Sequence, residues 1–246
     1  MMLKTPTLEA DVSALTRLGA LTSLSEDERR ALRFAMELPQ RIRASRDLIL
    51  IGQRLPGPMM VLDGWLGRVR LFSDGRRQIL SFLMPGDLIQ NSRISQPAAP
   101  STITALCDAI VCSAPLANSD GLRDAYAGSA ALDEIYLLRH IARLGRMSAY
   151  ERIHDWLMEM HERLFLAGRA SPDNFAMPLT QEVLADALGL TSVHVNRTLQ
   201  AMRRDNVIEW RSGIVRFVGR APAAVAPAGS APATSIPSLP KALRAG

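Results

Sequence analysis

The sequence predicts an α+β chain: an N-terminal antiparallel β-roll of cupin-like architecture, a long helix, and a small C-terminal helical domain closed by a β-hairpin. Three observations predict it. Between residues 41 and 113, short apolar or alternating runs recur between turns rich in Gly, Pro and Asp, the pattern of many short strands. Residues 120–147 run without proline at helical spacing. Residues 177–217 pass through two helical runs parted by Gly189 and end in two apolar runs joined by Ser212-Gly213.

In chain order, residues 8–37 read as amphipathic helix. Val12, Leu15, Leu18, Leu21, Leu24, Leu32, Phe34 and Met36 stand among polar neighbours, and Ser25-Glu26-Asp27-Glu28 resembles a capping box that opens a helix near Glu26. Pro39 ends this region. Strands are expected over Arg41–Ala44, Asp47–Ile51, Met59–Leu62, Gly67–Phe72, Arg77–Met84, Thr102–Leu106 and Ala109–Ser113. Asp63-Gly64 and Asp74-Gly75 read as hairpin turns rather than as phosphate-binding loops.

In the helix of residues 120–147, Ala131, Ile135, Leu138, Ala142 and Gly145 follow alternating steps of four and three. That is a narrow seam, small toward its end, suited to pairing with the same helix of a second copy. Leu137, Ile141 and Leu144 form a neighbouring stripe, expected to pack on the chain's own roll. Ser148-Ala149-Tyr150-Glu151 is a second capping box, so a new helix begins there, turning Ile153, Trp156, Leu157, Met160 and Leu164 to a core and ending near Gly168. Residues 170–174 read as loop, and Met177-Pro178-Leu179 as a short strand.

The stretch Thr180–Asp205 (TQEVLADALGLTSVHVNRTLQAMRRD) reads as a helix-turn-helix. Leu184, Ala185 and Leu188 keep helical spacing, with Ala185 small where two helices approach. Gly189 accepts the positive φ of a turn, and Thr191 can cap the second helix. Leu190 and Val195 turn inward, leaving Ser192, Val193, His194, Asn196 and Arg197 on the outer face. Thr198 departs from the pattern, since this position usually buries Ile, Val or Leu. Val207–Trp210 and Ile214–Phe217, joined through Arg211-Ser212-Gly213, add the wing of a winged helix. Such a helix suits the major groove of DNA.

Charge placement agrees with that reading. The chain of 246 residues carries a net charge of only +5, and from Glu151 to Arg220 nine Arg face nine acids. From Leu188 to Arg220, however, six Arg face only Asp205 and Glu209, so the positive charge sits on the reading helix and wing, where phosphates would be neutralised. No apolar run approaches a membrane span and the N-terminus lacks a signal core, which predicts a cytoplasmic protein without membrane contact. No nucleophile–base spacing, metal-ligand cluster or glycine loop argues for an enzyme. The two cysteines, Cys107 and Cys112, are too few for an all-cysteine metal site, and on one continuous strand they would face opposite sides. His140, His154 and His161 could hold haem, but each lies in an amphipathic helical run where an ordinary histidine is the plainer reading.

Roll, long helix and winged helix together resemble the Crp/Fnr family of bacterial transcription regulators over roughly residues 10–219. The most specific parts are Gly64–Asp87, similar to the roll's Gly-hairpin-Pro-Gly-Asp pattern, and the helix-turn-helix. Arg143–Leu164 resembles alphaproteobacterial members with unknown or no effector. The resemblance divides the chain into a sensor-like roll with dimerisation helix (1–147, the helix about 120–147), a DNA-binding domain (148–219) and an Ala/Pro-rich tail (220–246) expected to be disordered. It implies a homodimer that binds a pseudo-palindrome in double-stranded DNA, with RNA polymerase as the partner in activation. Thr180, Gln181, Arg211 and Ser212 would position phosphates, while Thr191, Ser192, Val193, His194, Asn196 and Arg197 would line the reading helix.

The departures from the family are equally informative. Members that bind cyclic AMP follow Pro-Gly-Asp with Gly-Glu and, further on, Arg-Ser or Arg-Thr. Here Gln90-Asn91-Ser92-Arg93-Ile94 and Pro97-Ala98-Ala99-Pro100 stand instead, and Arg93 comes too early to replace the phosphate arginine. No cofactor is expected, cyclic AMP is not the expected effector, and any other small-molecule effector is left open. No cysteine precedes Cys107, so the N-terminal cluster ligands of oxygen-sensing members are missing. Both best-known branches place a Glu where this chain has Val193. Val193 can instead pack on a thymine methyl, Asn196 can bond adenine, and Arg197 matches the family's arginine for guanine or phosphate. A half-site unlike TGTGA or TTGAT follows. A second reading, a ligand-binding signalling module whose winged helix serves protein contacts, predicts no salt-dependent affinity for DNA.

Overall fold

The computed structural model describes residues 8–55, 57–90 and 98–218. The 220–246 tail and Asn91–Pro97, with Arg93, lie outside the described residues. Two helices open the chain, α1 (Leu8–Leu21) and α2 (Glu26–Met36). Ser25 caps α2 as the sequence predicts: its Oγ accepts from the Glu28 N–H at 3.3 Å, and the Glu28 carboxylate accepts from the Ser25 N–H at 2.7 Å. Leu18, Leu32 and Met36 are buried against Met60 and Leu62 of the roll. Phe34, expected inside, is 68% exposed. Two residues from Leu32 and Met36 on the helix, it falls on the opposite face.

The roll comprises β1 (Gln40–Ile42), β2 (Asp47–Ile49), β3 (Met59–Asp63), β4 (Leu66–Leu71), β5 (Arg77–Leu83), β6 (Leu88–Ile89), β7 (Thr102–Ala105) and β8 (Ala109–Ser113). Its antiparallel strands form two four-stranded sheets, ordered β1-β8-β3-β6 and β2-β7-β4-β5. The short β6 was not expected. It lies directly after the Pro85-Gly86-Asp87 turn, and two residues are too few to show alternation. Gly64 joins β3 to β4 at φ +72°, and a Cβ there would run into the Asp108 carbonyl. Glycine is therefore required by both backbone and space. The chain bends at Leu106–Asp108, which separates the cysteines. The Cys107 sulfur accepts from the Trp65 N–H at 3.2 Å and burial raises its thiol pKa, while Cys112 is buried in another cluster, and no disulfide joins the two.

The long helix α3 spans Asp120–Arg146 and α4 spans Ala149–Leu166. Between them the second capping box is present, with Ser148 and Glu151 exchanging both hydrogen bonds. One expectation fails on α3. Leu137 and Ile141 do not pack on the roll but are 43% and 60% exposed, and Leu144 is only half-buried. The inward side of α3 carries Leu122, Ala125, Tyr126 and Ser129 and then turns polar, burying His140 and Arg143. The acids of α4 face that polar half and draw it inward.

The C-terminal part contains β9 (Asn174–Ala176), α5 (Gln181–Leu188), α6 (Ser192–Arg204), β10 (Ile208–Arg211) and β11 (Ile214–Phe217), the strands ordered β10-β11-β9. The strand expected at Met177–Leu179 lies three residues upstream, beginning at the last residue of the expected loop. Met177 still donates its N–H to Gly213 at 2.7 Å, but Pro178 has no N–H with which to continue the ladder. The largest core cluster crosses from roll to C-terminal part: Trp65 and Phe82 meet Trp156 of α4 with ring centroids 6.4 and 5.2 Å from it. Among the described residues no helix is long and apolar enough to cross a membrane.

Candidate nucleic-acid interface

Each helix of the motif is set by local chemistry. Thr180 Oγ1 accepts from the Val183 N–H at 3.4 Å and starts α5; Gly189 ends it in the left-handed region at φ 63°, ψ 39°. Two residues later Thr191 Oγ1 accepts from the His194 N–H at 3.2 Å and starts α6. Val195, Leu199 and Met202 of α6 are buried beside Leu184, Ala185 and Leu188 of α5. Thr198 is buried too, and its hydroxyl bonds the His194 carbonyl at 2.9 Å. A threonine is tolerated there because its one polar group is satisfied within the helix.

The opposite face of α6 is open. Ser192, Val193, His194, Asn196, Arg197 and Gln200 are exposed, Val193 by 76% of its surface. Gln181, Ser192, Val193, Asn196 and Arg197 surround a hollow of about 410 Å³ between the start of α5 and the first half of α6. Within it Asn196 Nδ2 donates to Gln181 Oε1 at 3.1 Å, and Gln200 Nε2 donates to Asn196 Oδ1 at 2.9 Å. Gln200 is absent from the residues that sequence reasoning singles out; its position four after Asn196 on the helix was the available signal.

The wing stands apart from the hollow. Arg211 and Ser212 lie at its tip, exposed, and the Ser212-Gly213 turn has φ of 50° and 75°, the two positive values of a tight hairpin. Arg203 donates to the Trp210 carbonyl at 3.3 Å and so ties the end of α6 to the wing. Arg204 is exposed as well.

The motif is held against the rest of the chain through α4 and β5. Arg77 of β5 pairs with Asp186 at 2.7 Å, and Gln78 donates to the Ala187 carbonyl at 3.0 Å. Arg152 donates to the carbonyls of Leu188 at 2.7 Å and Met147 at 3.0 Å. Behind it lies a chain of ion pairs. Arg143 of α3 meets Asp155 at 2.7 Å and Glu159 at 2.5 Å, and Arg163 of α4 meets Asp87 of the Pro-Gly-Asp turn at 2.6 Å. Arg17 of α1 closes on the same carboxylate at 2.7 Å. Burial would push the Asp87 carboxyl up, but the two guanidinium groups outweigh it and hold it below the usual range.

A description of a Crp-like helix-turn-helix domain matches residues 151–218, and one of a cyclic nucleotide-binding domain matches residues 39–126. The transcriptional activator protein FnrL of Cereibacter sphaeroides is 30% identical over 175 residues, covering 67% of this chain and 70% of that protein. The chain belongs to the Crp/Fnr family. Another member, the nitrogen fixation regulation protein FixK of Bradyrhizobium diazoefficiens, is 32% identical over 153 residues, 60% of this chain and 64% of FixK, just under two thirds of its length. In fold, the chain is similar to FixK2 from Bradyrhizobium japonicum, with a TM-score of 0.64 at 24% identity over 77% of this chain and 98% of FixK2. These relatives are Crp/Fnr regulators, and the fold class expected from the sequence is that of the family.

Ala131, Ile135, Leu138, Ala142 and Gly145 are all exposed along α3, beside Leu137 and Ile141. Of the three histidines weighed for haem, His140 is buried with Nδ1 3.3 Å from Arg143, and burial lowers its pKa. His161 bonds the Ser171 carbonyl at 2.7 Å and lies against Phe175 and Phe217, while His154 is half-buried. Among the described residues no group of three His, Cys, Asp or Glu could hold a metal ion.

Proposed function

We propose that this Crp/Fnr chain is a sequence-specific, DNA-binding transcription regulator that acts as a homodimer on a pseudo-palindromic site. The observation that carries the reading is the open face of α6, with Ser192, Val193, Asn196 and Arg197 around one hollow, together with an exposed wing tip that carries Arg211. Arg197 reads a base; Thr180, Gln181, Arg211 and Ser212 hold phosphates; Thr191 caps the reading helix and His194 flanks it. Ala131, Ile135, Leu138, Ala142 and Gly145 supply the seam between two α3 helices, whose apolar outer face is open in the single chain. Such a dimer places two reading helices on half-sites about 34 Å apart. The roll works without cyclic AMP, and RNA polymerase is the partner through which activation would run.

The test is selection from random duplex DNA by the purified protein with no effector added. A two-fold symmetric site is expected. Its affinity should fall steeply with salt, and Arg197→Ala should abolish selectivity while leaving low-salt, non-specific binding. Binding without salt dependence, or full selectivity in Arg197→Ala, would overturn the assignment.

A further inference from the structure

We infer that Asn196 is an adenine-reading residue whose amide is held for that purpose by Gln181 of the first helix and Gln200 of the second. The inference rests on the DNA-reading function proposed above and names the base. An asparagine amide has two N–H donors and two acceptor lone pairs. In Asn196 one donor is taken by Gln181 and one lone pair by Gln200, at 3.1 and 2.9 Å. One donor and one acceptor therefore remain on an exposed amide that lines the hollow.

In the major groove adenine offers an acceptor, N7, beside a donor, the N6 amino group, and so complements that remaining pair. Guanine presents two acceptors, cytosine a donor, and thymine an acceptor beside a methyl group. The conclusion does not depend on which way the amides are turned. Reversing all three gives Gln181 as donor to Asn196 and Asn196 as donor to Gln200, and the same free donor and acceptor remain. The two bonds also hold the amide plane before DNA arrives, so less side-chain freedom is lost on binding. Gln181 has two parts in this arrangement: it stands at the start of α5, where phosphates are held, and it orients a reader on the next helix.

The test uses the full chain and the operator recovered by selection, with each base pair of a half-site replaced by the other three. Wild-type protein should prefer A·T at one position by roughly ten- to a hundred-fold. Asn196→Ala should flatten that preference, and Asn196→Asp, which presents acceptors only, should turn it toward cytosine. Replacing that adenine by 7-deazaadenine should cost wild type several-fold and Asn196→Ala nothing. Gln181→Ala should weaken the preference at the same pair and leave the other pairs unchanged. Asn196 is exposed and Gln181 half-buried, so the Asn196 variants should match wild type in low-salt non-specific binding, and an unchanged circular dichroism spectrum and melting temperature should report an intact fold in Gln181→Ala. If wild type selects no site at all, the DNA-reading function falls and the inference with it. If wild type selects a site but Asn196→Ala discriminates as well as wild type at every pair, the inference alone falls. A loss in Gln181→Ala that is uniform across all sequences, with the A·T preference intact, would reduce that residue to a phosphate contact and overturn its orienting part.

Discussion

Glu28 sits where three segments meet. Its carboxylate accepts from the Ser119 hydroxyl, from the Ser25 N–H at 2.7 Å and from the Leu122 N–H at 3.2 Å. Those donors, the Ser119 hydroxyl foremost and then the Ser25 N–H, bring its pKa from 4.5 down to about 2. A carboxyl with a depressed folded pKa contributes stability that is complete above the unfolded value and lost as pH falls toward the folded one. Denaturant unfolding of wild type should therefore weaken between about pH 4.5 and 2, and Glu28→Gln should be less stable at neutral pH with a shallower fall in that window. Parallel pH profiles would show that the Glu28 contacts contribute nothing. Thr198 makes a related point in the opposite environment: a lone hydroxyl is accepted in the core because the His194 carbonyl lies within reach.

At the scale of elements, α6 depends on its cap. Without the Thr191 hydroxyl the first turn, which carries Ser192 and Val193, loses its bond to the His194 N–H. Thr191→Ala should cost about 1 kcal/mol of stability and speed amide hydrogen exchange in that turn, while α5 exchanges as before. The long helix α3 shows why helical spacing by itself misassigns a face. Its apolar residues Ile135, Leu137, Leu138 and Ile141 are exposed, whereas Arg143 is 1% exposed. The polar side goes inward because Asp155 and Glu159 of α4 wait there. Changing Ile135 and Leu138 together to Glu should leave the monomer folded and shift sedimentation from dimer to monomer, with a loss of operator affinity. An unchanged dimer would move the interface elsewhere.

At the scale of the molecule, Asp87 joins parts that are far apart in sequence. It takes Arg17 from α1 and Arg163 from α4, and the Met84 N–H at 2.8 Å besides. Asp87→Ala would leave Arg17 buried without its carboxylate and Arg163 with only Glu159, at 3.4 Å, a loss of about 3–5 kcal/mol. The expected readout is a lower urea midpoint in a single transition, because the Trp65–Phe82–Trp156 cluster makes roll and C-terminal part unfold together. Two separate transitions in wild type would contradict that coupling.

The sequence by itself determined the local grammar: both capping boxes, the glycine turns at Gly64 and Gly189, the helix-turn-helix and the hairpin wing. Each is specified within a few residues by backbone geometry or by one side-chain bond, so spacing is enough to read it. Of the candidate site, the open face of α6 was legible because a single buried stripe, Val195, Leu199 and Met202, dictates which residues remain outside. Only the tertiary structure decided what depends on distant partners. The inward face of α3 follows from acids on α4; the exact strand before α5 follows from pairing with β11; and the amide chain through Asn196 needs Gln181 from the preceding helix. The keystone at Asp87 was visible as a turn motif, but not as the meeting point of Arg17 and Arg163, since |i−j| separations of 70 and 76 residues leave no periodic trace. Short-range geometry is written along the chain, whereas the pairing of buried charges is settled only when the elements that carry them pack.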